Sequence, residues 1–183
     1  MKKIKYVLIG LLSILLLSST AIIYAKPRLD ALKNGGFVEL SNEDMCDTVS
    51  ALITKIAKEQ HLATIPEVSC FDWAESPMLA YNTNITHTIC VNMAHFRDNT
   101  DAALENETVE YHLVKTLAHE VRHSYQWEHQ LDDSDYGRAC LTNFQNYISF
   151  DGYNLSDYNG QFLESDANAY GKEYADKFCK VKK

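Results

Sequence analysis

The sequence is short of several things, and each shortage excludes a class of protein. Proline and glycine are sparse, 3 and 7 of 183 residues, so neither a collagen-like nor a low-complexity linker chain is present. Positive charge is in deficit: 17 Lys and Arg stand against 25 Asp and Glu, a formal net charge of −8. Without a basic patch or tail, phosphate contacts have no donors, which argues against a nucleic-acid partner. No C-x-x-C pair occurs among the five cysteines, so a cysteine zinc site has no support. There is no internal repeat and no sustained heptad, which removes solenoids and coiled coils. What remains, 46% hydrophobic and 23% charged residues, is ordinary for one globular domain.

One long apolar run stands apart at the N-terminus. Lys2, Lys3 and Lys5 precede 20 uncharged residues, Tyr6 to Ala25. A helix of that length reaches across a bilayer core of about 30 Å. Residues 1–25 therefore read as a signal peptide or an N-terminal membrane anchor, the length favouring the anchor. Either reading exports the rest, so the protein is expected to be extracytoplasmic, membrane-anchored through residues 6–25 or secreted. Export permits disulfides, and five cysteines leave at least one unpaired within the chain. Residues 26–40 have no period and read as a linker, which leaves 41–183 as the folded domain.

Within that domain the period alternates between helix and strand. Met45, Val49, Leu52, Ile53 and Ile56 recur at helical spacing behind a Ser41 cap, predicting a helix over 42–60. Ile85, His87, Ile89 and Val91 alternate with Thr86, Thr88, Cys90 and Asn92, predicting a half-buried strand over 85–92. Cys70 and Cys90 are placed to pair across a hairpin. Tyr111, Val114, Leu117, Ala118, Val121 and Tyr125 form a 3.6-residue stripe through about 127. Two further helices are expected, over 135–149 and 161–179. Asn106 or Glu107 opens the helix that carries Tyr111 to Tyr125, and the class is α+β: a small antiparallel sheet packed on that helix, with two or three further helices.

That helix carries His119-Glu120-Val121-Arg122-His123, an H-E-x-x-H. Chance places this pattern in a chain of this composition only about 0.02 times. Histidines four apart lie one above the other on a helix, so both imidazoles reach one ion. Zinc (Zn2+) accepts such nitrogens, and Glu120 is placed as general base toward a water on the metal. A zinc hydrolase needs a third protein ligand and leaves one position open. His129 lies six residues after His123, as in H-E-x-x-H-x-x-G-x-x-H, but Gln126 stands where that pattern turns on Gly, and no Met follows the motif. The other candidate is Glu164, 41 residues after His123.

His119-Glu120-Val121-Arg122-His123-Ser124-Tyr125-Gln126, followed by Glu164-Ser165-Asp166-Ala167 on a later helix, resembles a compact gluzincin-type metallopeptidase, a minigluzincin. The resemblance covers roughly residues 78–178. It implies a zincin-like fold, zinc held by His119, His123 and Glu164, and strand 85–92 as the edge strand that binds an extended peptide. It departs at Asn168, where thermolysin-like enzymes carry the Asp that orients a ligand histidine. Asp166 is an alternative partner for that histidine, although its spacing turns it off the Glu164 face. Tyr153 and Tyr158 are candidates to stabilise negative charge on a reacting carbonyl, and Arg122 reads as a surface ion pair. The expected activity is zinc-dependent hydrolysis of a peptide or protein substrate. The alternatives are a non-catalytic, membrane-tethered zinc module and a metal hydrolase acting on cell-wall peptides.

Overall fold

The computed structural model describes residues 28–76, 78–97, 107–149 and 154–179. The apolar run 1–25 lies outside these residues, as does Tyr153. No helix among the described residues is long and apolar enough to cross a membrane. The class is α+β, with seven helices among the described residues and one three-stranded sheet.

Three of the helices begin at a side-chain cap. After α1 (28–34) and a 3-10 turn, Phe37–Glu39, comes α2, Asn42–Glu59. The Ser41 hydroxyl accepts the Asp44 N–H at 3.2 Å, satisfying one of the otherwise unpaired amides of the first turn of α2. Met45, Val49, Leu52, Ile53 and Ile56 are buried as their spacing requires. The expected linker is itself partly packed: Leu32 and Phe37 belong to the core, and two N–H groups at 36 and 37 are held by the Glu110 carboxylate. The folded unit thus starts before residue 41. A short α3 (Met93–Arg97) precedes α4, Val109–His129, which is capped by Thr108 and packs against α2, α5, α7 and the sheet. Then come α5 (Asp135–Gln145), α6 (Leu155–Gly160) and α7 (Phe162–Phe178).

The sheet corrects the expected topology. Its strands are β1 (Glu67–Phe71), β2 (Ala80–Thr83) and β3 (Thr88–Asn92), in the order β1-β3-β2. β2 pairs antiparallel with β3, but β1 pairs parallel with it, so the sheet is mixed. The cause is the connection from β1 to β2, whose described residues, 72–76 and 78–79, carry the chain past the end of β3. The Asn92 side chain pins that crossing: it accepts the Trp73 N–H and donates to the Trp73 and Met78 carbonyls, at 3.0, 2.8 and 3.1 Å. Ile89 and Val91, fully buried, suit β3 to the middle position.

Two further corrections follow from that register. The strand expected over 85–92 starts only at Thr88. Residues 84–87 form a turn in which His87 adopts a left-handed φ of 51° and Ile85 is 88% exposed. The alternation of Ile85 and His87 with threonines therefore belongs to a hairpin loop. Cys70 does not pair with Cys90: Cys70 lies opposite Val91, on the side packed against the core, while Cys90 lies opposite Ser69. Cys70 is bonded instead to Cys46 of α2. Cys90, Cys140 and Cys179 remain thiols.

Candidate metal centre

The site is built between α4 and α7. The i, i+4 spacing brings the His119 and His123 rings to 4.6 Å between centroids, with Nε2 atoms 3.0 Å apart. Glu164 sits in the first turn of α7, where the helix N-terminus favours a carboxylate. That terminus has no side-chain cap of its own; the Leu163 N–H is taken instead by Asn143 Oδ1 of α5 at 2.8 Å. Glu164 Oε2 lies 3.3 Å from His119 Nε2, and Oε1 lies 3.5 Å from His123 Nε2. One ligand atom from each of the three residues falls within 4.8 Å of the others. The structure thus brings His119, His123 and Glu164 together.

His129 is not part of the cluster. It closes the end of α4, where its Nδ1 meets Asp132 Oδ2 at 2.6 Å and its ring packs on Tyr125.

A cation suits this donor set. Glu164 is 1% exposed, and its Oε2 has no hydrogen-bond partner among the described residues. A buried carboxylate oxygen without a partner is costly, and a metal would satisfy it. Burial works to raise the Glu164 pKa, but the two imidazoles and the Tyr147 hydroxyl outweigh it and hold it down to about 2. Burial likewise opposes charging of His119, yet Glu164, Glu120 and the Asn168 amide raise its pKa. His123 moves the other way, lowered by burial and by its neighbour His119.

The surrounding residues hold these three in place. Asn168, the residue that stands where thermolysin-like enzymes carry Asp, lines the same cavity as His119 and helps to raise its pKa. Gln126 Oε1 meets His123 Nδ1 at 2.8 Å. Asp166 touches neither histidine; it accepts from Arg122 Nε at 2.8 Å, Gln126 Nε2 at 2.9 Å and the Tyr136 hydroxyl at 2.8 Å. Burial opposes its ionisation, but these three donors keep its pKa below the ordinary range. Arg122 is therefore no loose surface ion pair: its guanidinium lies half-buried among the rings of Tyr125, Tyr136 and Tyr170.

No family model, curated protein or solved structure matches this chain.

Glu120 lies beside the cluster, 7% exposed, on the wall of a cavity of about 360 Å³ also lined by Tyr81, Asn82, His123, Tyr147 and Glu164. A second, more apolar cavity of about 590 Å³ shares Tyr81, Glu120, Tyr147 and Tyr158 with the first and extends to Met78 and Leu155. Glu120 thus stands where the two meet. Asn82 of β2 donates to the Glu120 carbonyl at 2.8 Å and to Ser124 Oγ at 2.7 Å, fastening the strand to the motif helix. The strand on this cavity is therefore β2, an edge strand, and not 85–92, whose extended part is the central β3.

Sequence reasoning missed Tyr147. Its hydroxyl donates to Glu164 Oε1 at 2.6 Å and also meets the Tyr158 hydroxyl at 3.3 Å. Gln161 places it by bonding both backbone groups of Ile148, at 2.7 and 2.8 Å. Helical spacing reads Tyr147 as part of an apolar stripe, and no local pattern distinguishes it. Gln126 did carry a signal: it lies three residues after His123 on the same helix face.

Proposed function

We propose that the chain is an exported zinc metallopeptidase with a compact, zincin-like architecture of the gluzincin type. The observation that carries the reading is the convergence of two imidazoles on a buried carboxylate, one of whose oxygens lacks a hydrogen bond, with Glu120 on the adjoining cavity wall. His119, His123 and Glu164 would hold the metal. Zinc bound there would supply Lewis acidity toward a water and a peptide carbonyl. Glu120 takes the proton of the attacking water as its oxygen bonds to the carbonyl carbon, then delivers it to the amine as the C–N bond breaks. The Tyr158 hydroxyl, on the same cavity wall, is the donor assigned to a developing oxyanion, since the Tyr147 hydroxyl is given to Glu164. Edge strand β2 offers backbone groups to an extended peptide.

Export is supported by the charge-free run from Tyr6 to Ala25 and by the Cys46–Cys70 disulfide, which needs an oxidising compartment to persist. The cavity beside Glu120 favours an enzyme over a structural zinc module, which needs neither a base nor open space. The test is metal analysis of the purified full-length chain together with hydrolysis of a broad peptide library. About one zinc per chain and chelator-sensitive cleavage are expected. Full zinc occupancy without cleavage of any peptide would move the reading to a binding module.

A further inference from the structure

Gln126 is fully buried, and its amide touches both helices that carry the site. Its Nε2 donates to the Leu163 carbonyl at 2.8 Å and to Asp166 Oδ2 at 2.9 Å. Both partners are acceptors with no hydrogen to give: one is a backbone carbonyl, the other a carboxylate paired with Arg122. The amide therefore has one orientation, with Oε1 turned toward His123 Nδ1 at 2.8 Å. An amide oxygen accepts and cannot donate. A neutral His123 in this bond carries its proton on Nδ1, and its Nε2 keeps a lone pair that faces His119 Nε2 at 3.0 Å and Glu164 Oε1 at 3.5 Å.

We propose that Gln126 is a positioning residue that fixes the tautomer of His123, presenting Nε2 to the cluster as a ready ligand atom, and that Asp166, held by Arg122 and Tyr136, fixes Gln126 in turn. The purpose of this device rests on the zinc reading above; its geometry does not. It explains why an amide stands at the position where a longer zinc pattern would place glycine. It also gives Asp166 a route to a ligand histidine, two bonds long, although its side chain is turned off the Glu164 face. The same amide ties His123 of α4 to the carbonyl of Leu163, the residue before Glu164, so the orientation of one ligand and the seating of the next are set by one group.

The experiment compares the full-length chain with its Gln126→Met variant, a change of similar length with no oxygen to accept. Long-range 1H–15N spectra of the zinc-stripped proteins at pH 8 report which nitrogen of His123 carries the proton. The wild type is expected to show the Nδ1–H form, the minor tautomer of a free imidazole in water. Gln126→Met is expected to shift His123 toward the Nε2–H form and to raise the zinc Kd about 10- to 100-fold, the range found for partners of ligand histidines. A merely structural Gln126 would lower stability without moving the tautomer. A wild-type His123 protonated on Nε2 overturns the proposal, and so does an unchanged Nδ1–H form in the variant. The wild-type spectrum decides the matter if the variant fails to fold. Expected spectra with no zinc binding by the wild type would leave the positioning role standing and remove the zinc reading.

Discussion

Gly171 of α7 lies directly against His119 of α4: a methyl group at Gly171 would stand 3.3 Å from the His119 Cβ and 2.6 Å from the Lys115 carbonyl oxygen. The missing side chain is what lets the two helices approach at the level of the first histidine, and the two helices that touch there are the ones that carry His119, His123 and Glu164. Packing and site are thus one relationship. A helix–helix distance set by a glycine decides whether a carboxylate from α7 reaches imidazoles on α4.

This contact predicts the sign of one substitution against the usual rule. Gly→Ala inside a helix ordinarily stabilises by about 0.5–1 kcal/mol. At Gly171 the new methyl group meets backbone that cannot step aside, and overpacking of this kind costs about 1–3 kcal/mol. Gly171→Ala should therefore lower Tm by a few degrees and weaken zinc binding as α7 moves away. A rise in Tm would show that the helices are not in this contact.

The ligand set makes a sharper prediction. His119→Ala, His123→Ala and Glu164→Ala should each lose most of the bound zinc, and His129→Ala should keep it. The reason for the last is geometric: His129 meets Asp132 at the end of α4, outside the cluster. Metal analysis of the four variants settles it. Loss of zinc from the His129 variant with retention in the Glu164 variant would reverse the assignment.

The sequence was readable where the chemistry is local. Ser41 capping, the 3.6-residue stripes of α2 and α4, and the i, i+4 histidines depend on neighbours within two turns, and each lies where its pattern puts it. The sheet was not readable in the same way. Alternation over 85–92 counts side chains but not pairings, and it runs unbroken from the 84–87 turn into β3. Strand order depends on Asn92 binding a segment about 14 to 19 residues upstream, a contact that no periodicity encodes. Glu164 was reached only through resemblance, because its distance from His119 is fixed by Gly171 and by the Asn143 cap, each on a different helix. Tyr147 escaped for the same reason: it is aimed by Gln161, not by its own neighbours.

The disulfide yields a prediction about compartment and stability. Cys46 and Cys70 enclose a loop with a sequence separation of 24. Closing a loop of that size in the unfolded chain stabilises the fold by about 3–4 kcal/mol in the chain-entropy picture. Protein made in an oxidising compartment should give a Cys46–Cys70 linked peptide on non-reducing digestion, with Cys90, Cys140 and Cys179 open to alkylation once unfolded. Reduction should lower Tm by several degrees. A Cys70–Cys90 peptide would contradict the sheet register, which puts those two side chains on opposite faces.

The decisive substitution for catalysis is at Glu120. Its carboxylate is outside the three-residue cluster yet lies on the cavity wall beside His123 and Glu164. It is attached to the middle of α4, whose backbone is fastened to β2 by Asn82, so replacing the side chain leaves that bond to the carbonyl oxygen in place. Glu120→Gln keeps size and shape but removes the group that takes a proton at neutral pH. The variant should fold with an unchanged Tm to within about 1 kcal/mol of stability and hold zinc as the wild type does. Peptide hydrolysis should fall by a factor on the order of 10²–10⁴, the usual contribution of a general base. The loss should appear in kcat, with KM little changed, because the base acts on the attacking water and not on the bound peptide. The assay begins with a peptide that the wild type cuts and a chelator protects. Equal cleavage by Glu120→Gln would remove this carboxylate from the mechanism; loss of zinc from the same variant would make it a ligand instead of a base.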